Sequence, residues 1–153
     1  MKSDNLKAVL FDLDGTLVDT ADEFVVVVQQ LRAEHGMAAM DPLCVRASVS
    51  NGARALVCLG LGLDPNDAMF ESKRLRLLEL YSEVLGSEAK PYPGISLLLA
   101  ELAKRNISWG VATNKPRAYA EPLMARIDLP PCPSLVCPDD VKDRKPHPES
   151  LYR

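Results

Sequence analysis

The stretch Leu6–Thr20, LKAVLFDLDGTLVDT, constrains this chain more than any other. A short apolar run, Ala8–Phe11, meets two aspartates spaced one residue apart, Asp12 and Asp14, and Gly15 and Thr16 follow at once. A run of that length bounded by Asp and Gly reads as a buried strand that ends in a loop. Open α/β sheets bind their ligands outside the carboxyl ends of such strands. Side chains repeat every two residues along an extended chain, so Asp12 and Asp14 are expected on one side of it. Two adjacent carboxylates repel, and a shared proton or a bound cation resolves the repulsion. A hard divalent cation such as Mg²⁺ suits oxygen ligands of this kind. In such a pair one carboxylate can attack phosphorus while the other protonates the leaving oxygen. Spacing alone leaves a second reading equally open, in which both aspartates cap a turn.

The segment after this strand reads as helical throughout. Thr20 with Glu23 three residues later forms a capping box, and Phe24, Val27, Val28 and Leu31 recur at helical spacing as far as Gly36. The β-branched run Val25–Val28 would also suit a strand, but the capping box and Gln29–Glu34 favour a helix. Asp41-Pro42 is an N-cap with Pro at the first helical position, opening a short helix to about Ala47. Ser50-Asn51-Gly52 is a turn, Ala53–Leu61 a further helix, and Asp64-Pro65 the start of another. That last helix carries Phe70, Leu77, Leu78, Tyr81, Val84 and Leu85 on its apolar side and ends at Gly86.

Strands then return. Pro91-Tyr92-Pro93-Gly94 is a rigid turn, and Ile95–Arg105 a helix with Leu98, Leu99 and Leu102 as its buried stripe. Ile107–Ala112 is a second strand ending at Thr113-Asn114. Pro116 opens a helix that Pro122 is expected to kink or divide. Ser134–Cys137 is a third strand, Asp139–Lys145 a polar loop, and Pro146–Glu149 the start of a helix. Strand and helix alternating in this way imply parallel strands joined by right-handed crossovers.

Composition excludes several classes of function. With 18 basic and 21 acidic residues the net charge is −3, which gives no electrostatic case for nucleic acid or an anionic membrane. No apolar run has the length of a membrane span, and the amino terminus lacks a signal-peptide pattern. The cysteines, Cys44, Cys58, Cys132 and Cys137, make no CxxC and no zinc spacing. They read as reduced, mostly buried thiols of a cytoplasmic protein.

The full string FDLDGTLVDT is far more specific than its two aspartates. With it, the chain resembles the haloacid dehalogenase superfamily over essentially its whole length, in particular the phosphoglycolate-phosphatase-like branch. Within that branch, SNGARALV, SWGVATNKPRAYAEPLM and LVCPDDVKDRKPHPE look most like the N-acetylmuramic acid 6-phosphate phosphatases. The resemblance implies an α/β fold, a Rossmann-like parallel sheet in residues 1–17 and 87–153, with an all-helical cap inserted at 18–86. It implies Mg²⁺-dependent hydrolysis of a small phosphomonoester through an aspartyl-phosphate, with Asp12 as nucleophile and Asp14 as general acid and base. Asp12 and the Asp14 backbone carbonyl would bind the metal, and the backbone around Leu13 and Asp14 would hold phosphoryl oxygens. Thr113, beside Asn114, would bind the phosphoryl group, although Thr113 also suits the N-cap of the following helix. Lys145, in KPHP, would offset charge on the phosphoryl group and on Asp12. Asp139 would support by hydrogen bonding and not as a ligand. In the cap, Asn51, Gly52 and Arg54 are candidate substrate contacts, with Arg54 an ordinary surface residue on the other reading.

The chain departs from the family pattern in one place. The fourth motif, an apolar strand ending in GDxxxD or DD, supplies the remaining acidic metal ligands, and only eight residues follow Lys145. Asp139-Asp140 precedes Lys145 and is not recruited. The expectation is a core without its last strands, as in a truncated reading frame or a fragment. It would have an incomplete metal site and Val9–Phe11 at an unpaired edge. An inactive remnant and a sugar phosphomutase of the same superfamily are the rival functions.

Overall fold

The computed structural model describes residues 6–153; residues 1–5, which the sequence reading assigns to the core, lie outside them. In chain order the elements are β1 (Ala8–Phe11), β2 (Val18–Asp19), α1 (Ala21–Glu34), α2 (Pro42–Ser48), α3 (Gly52–Leu61), α4 (Phe70–Val84), β3 (Lys90–Pro91), α5 (Ile95–Lys104), β4 (Ser108–Ala112), α6 (Arg117–Arg126) and β5 (Leu135–Val136). Short 3₁₀ turns occupy Val49–Asn51, Pro138–Asp140 and Pro148–Leu151. Contacts divide the chain into two units. One runs through Asp19 and resumes at Lys90; the other is Thr20–Ala89.

The first unit is built on a parallel sheet of order β1-β4-β5, the α/β class that the alternation implies. Ala8 lies opposite Ser108 and Phe11 opposite Val111, while Val111 and Ala112 lie opposite Leu135 and Val136. The middle strand β4 is buried after its first residue, as an apolar run between two neighbours should be. Gly110 is needed there: a Cβ would stand 3.0 Å from Leu10 Cδ2 and 3.0 Å from the Ser134 carbonyl oxygen. Among the described residues β1 lies at the sheet edge, as expected from the sequence, and Leu10 is 43% exposed. A two-residue antiparallel ribbon joins β2 to β3, with Val18 opposite Pro91 and Asp19 opposite Lys90. The sequence gives no sign of it, because two residues show no period.

In the second unit α1 packs against α2, α3 and α4, with Val27, Val28 and Leu31 buried. Phe24 stacks on Tyr81 of α4, ring centroids 4.3 Å apart. Gly60 of α3 faces Val28, whose Cγ1 would lie 3.2 Å from a Cβ there. The β-branched run thus sits in a helix, because its apolar positions meet three other helices.

Several local expectations are corrected. Thr20 makes no side-chain cap bond. Glu23 is fully buried, and its Oε1 accepts the Glu88 and Ala89 amides at 3.3 and 3.2 Å instead of closing a capping box. α4 starts at Phe70 and not at Asp64-Pro65. Asp64 Oδ1 accepts the Asn66 amide and Asp67 Oδ1 the Met69 amide, so two side-chain turns fill the interval. On α5 the buried stripe is Leu99 and Leu102, while Leu98 is exposed. Pro122 lies inside α6 without dividing it. Of the four cysteines, all free, Cys137 alone is buried.

Gly110→Ala is expected to destabilise the protein by about 1–3 kcal/mol, because the Ser134 carbonyl and the Leu10 side chain must both give way. Urea unfolding read by circular dichroism checks it, and Gly36→Ala, with open space around the missing Cβ, separates this crowding from backbone strain alone.

Candidate active site

Leaving β1, the chain turns sharply. The Leu13 carbonyl accepts the amides of Leu17 and Val18, both at 3.1 Å, and the Gly15 amide returns to the Val18 carbonyl at 2.9 Å. Gly15 sits at φ +79, where a side chain would be strained. The Leu13 side chain is fully buried and anchors the turn, leaving Asp12 and Asp14 on either side of it in the chain.

Each carboxylate meets its own lysine. Lys145 Nζ donates to Asp12 Oδ1 at 2.7 Å and to the Ala112 carbonyl at 2.6 Å, the end of β4. Lys115 Nζ donates to Asp14 Oδ1 at 2.9 Å. The Leu13 amide donates to Asp12 Oδ1 at 2.9 Å, so in this structure that amide serves the aspartate itself. Lys115 was not singled out in the sequence. A lysine three residues after a strand end looks like a solvated turn residue, and only the fold shows it buried.

Thr113 and Asn114 shape the same strand end. Thr113 is buried, and its Oγ1 accepts the Lys115 amide at 3.0 Å; it closes a turn there and is not the N-cap of α6, a position that Pro116 holds. The Asn114 Nδ2 donates to the Lys145 carbonyl at 3.0 Å and so ties the lysine loop to β4. Asp139 Oδ2 accepts the Arg117 amide at 2.9 Å, at the start of α6. The structure therefore gathers Asp12, Asp14, Thr113, Asn114 and Lys145 around the ends of β1 and β4. Asn51, Gly52 and Arg54 belong to the other unit, where the Arg54 guanidinium lies 4.8 Å from the centre of the Phe70 ring.

The loop carrying Lys145 is clasped from within. Glu149 Oε2 accepts the Asp143 amide at 2.9 Å and the Lys142 amide at 3.1 Å. These amides, the Asp143 one first, hold the Glu149 carboxyl below the usual carboxylate range. Asp143, His147 and Glu149 bring potential ligand atoms within 4.8 Å of one another. The Glu149 oxygens and His147 Nδ1 already accept backbone amides, so the group serves as a loop fastening. Asp140 is likewise held low, by the Cys137 amide first and then by Arg117. Burial pushes the Cys137 thiol up to about 11, which leaves it a poor nucleophile at neutral pH.

As a donor set for a hard cation, Asp12 and Asp14 offer carboxylate oxygens on a partly exposed rim, 45% and 30% exposed. Mg²⁺ is commonly held by one or two carboxylates together with substrate phosphate and water. The residues present fit that mode, with the two lysines as additional positive charge.

The family model for haloacid dehalogenase-like hydrolases matches residues 9–153. The chain belongs to this family. It is 45% identical over 147 residues to the N-acetylmuramic acid 6-phosphate phosphatase of Pseudomonas putida, covering 95% of this chain and 66% of the relative. The phosphoglycolate phosphatase of Photorhabdus laumondii is 36% identical over 151 residues, covering 96% and 64%. The chain thus spans about two thirds of the length of the curated relatives that it matches. A hydrolase of the family from Geobacter sulfurreducens superposes with a TM-score of 0.69 at 20% identity, covering 96% of this chain and 70% of that one, a likeness of fold.

A carboxyl whose value is depressed by folding adds stability that is complete above its unfolded value and lost as pH falls through the folded one. Lowering the pH from neutral through and below the ordinary carboxylate range is therefore expected to release the Glu149 clasp. Amide-exchange protection at Lys142 and Asp143 should fall along that titration, and Glu149→Gln should show weak protection already at neutral pH.

Proposed function

We propose that this chain carries the reaction centre of a Mg²⁺-dependent phosphatase. Its substrate is a small phosphomonoester of the phosphoglycolate or N-acetylmuramic acid 6-phosphate type. The observation that carries the proposal is the pairing of Asp12 with Lys145 and of Asp14 with Lys115 where β1 and β4 end. Phosphoryl transfer needs positioned donors and positive charge around the equatorial oxygens, and the pairing supplies an ammonium beside each carboxylate. The named phosphatases among the relatives support the same class.

In this reading an Asp12 carboxylate oxygen attacks phosphorus, the ester P–O bond breaks, and Asp14, having taken a proton from solvent as the substrate dianion enters, delivers it to the leaving oxygen. Water then attacks the aspartyl-phosphate, Asp14 takes its proton, and inorganic phosphate leaves with Asp12 restored. Lys145 keeps the Asp12 oxygen oriented and offsets the charge of the incoming dianion. Thr113 lines the strand end where the phosphoryl group would be received. Mg²⁺ held by Asp12 and the Asp14 carbonyl would supply charge against the phosphoryl oxygens. The helical unit Thr20–Ala89 would act as the cap, with Arg54, beside Asn51 and Gly52, as its test residue for choice of substrate.

The test is phosphate release from p-nitrophenyl phosphate, phosphoglycolate and N-acetylmuramic acid 6-phosphate. Release is expected with Mg²⁺, lost on chelation and restored by adding the ion back. Asp12→Asn should abolish it, and Asp14→Asn should lower kcat roughly 10²–10⁴-fold. Release no faster than that of Asp12→Asn, or conversion of a sugar phosphate without phosphate release, overturns the proposal.

A further inference from the structure

We infer that Lys115 is a positioning residue of this reaction centre: it holds the Asp14 carboxylate in place and cancels its charge toward an incoming phosphate dianion. The inference rests on the phosphatase reading for its kinetic consequences, but its geometry stands without it. Lys115 Nζ lies 2.9 Å from Asp14 Oδ1, and the lysine side chain is 6% exposed against 30% for the aspartate. The ammonium is therefore on the protein side of the pair and the carboxylate on the rim. Fixing a long lysine stem costs rotamer freedom, and burying its head needs a partner. Asp14 supplies that partner.

The backbone fixes where the ammonium starts from. The Thr113 Oγ1 accepts the Lys115 amide at 3.0 Å, and the Thr113 amide donates to the Val136 carbonyl of β5 at 3.0 Å. Lys115 is thus tied through Thr113 to the middle of the sheet, while Asp14 hangs from the turn after β1. The pair joins two strand ends from sequence positions 101 residues apart. Formal charges at the centre then cancel: Asp12 against Lys145, Asp14 against Lys115. Without Lys115 these side chains would leave the Asp14 charge uncompensated toward a dianion. Lysine and arginine differ here, because the ammonium is a compact point charge and the guanidinium a planar fork with its donors fixed in direction.

A double-mutant cycle tests this, with Lys115→Met and Asp14→Asn made singly and together in the full chain. Met keeps the apolar stem, and circular dichroism with thermal unfolding confirms that each variant is folded. Two readouts are taken, kcat and KM for p-nitrophenyl phosphate with Mg²⁺, and calorimetric affinity for inorganic phosphate. Lys115→Met is expected to lower kcat by about 10- to 100-fold and to weaken phosphate binding about tenfold. In the Asp14→Asn background the same substitution should cost little in either, since there is no carboxylate left to hold or neutralise. Lys115→Arg should recover part of the phosphate affinity and little of kcat. Equal losses in both backgrounds overturn the inference, because Lys115 would then act on the phosphate or on the fold directly. A coupled phosphate-binding cycle without any turnover keeps the Lys115 inference and overturns the phosphatase reading. Turnover with additive losses does the reverse, and a chain that binds no phosphate overturns the inference together with the reading.

Discussion

Two carboxylates two residues apart in one tight turn are tolerable because each has an ammonium of its own. That constraint reaches through most of the first unit. It requires β1 and β4 to end together, Lys145 to return to the sheet from its loop 133 residues after Asp12, and Lys115 to be turned inward. The parallel register of β1 on β4 sets the first requirement, with Phe11 opposite Val111. The Asn114 and Glu149 side chains set the second, one tying the lysine loop to the sheet and the other closing it on itself. The Thr113 hydroxyl sets the third. Remove the sheet register and the four charges are only surface residues, each worth little on its own.

The parts of this arrangement that could be read in the sequence are those with a local signature. The DLDGT turn, the apolar β4 ending in Thr113 and the Asp41-Pro42 cap all announce themselves within a few residues. Lys145 could be named because KPHP is a motif. Lys115 could not, since its burial and its partner are set by the distant aspartate and not by its neighbours. The same distinction explains the errors in the helices. Glu23 looked like half of a capping box because the spacing was right, but two free amides at Glu88 and Ala89 compete for it and win. Leu98 looked buried because it is leucine, and the helix face decided otherwise. Asp64-Pro65 has the form of a helix start, yet successive aspartate turns use up the residues before Phe70.

Glycine is used sparingly and for different reasons. At Gly15 the backbone itself needs a conformation that other residues resist, and the turn that places both aspartates depends on it. At Gly110 the backbone is ordinary and the reason is space, since both sheet neighbours come within van der Waals range of a missing atom. One shapes the turn that holds the two aspartates, and the other serves the strand that leads into Thr113 and Lys115.

The ribbon of Val18–Asp19 on Lys90–Pro91 has a consequence for how such a protein can vary. The seventy intervening residues, 20–89, leave the sheet unit and rejoin it at paired neighbours. A segment with its two ends already side by side is a cassette. It can be lengthened, shortened or exchanged for another, and the strands that carry the charged turn need not move to accommodate the change. The sheet unit and the inserted helices can then diverge at separate rates along one chain, with the ribbon as the fixed joint between what is kept and what is traded.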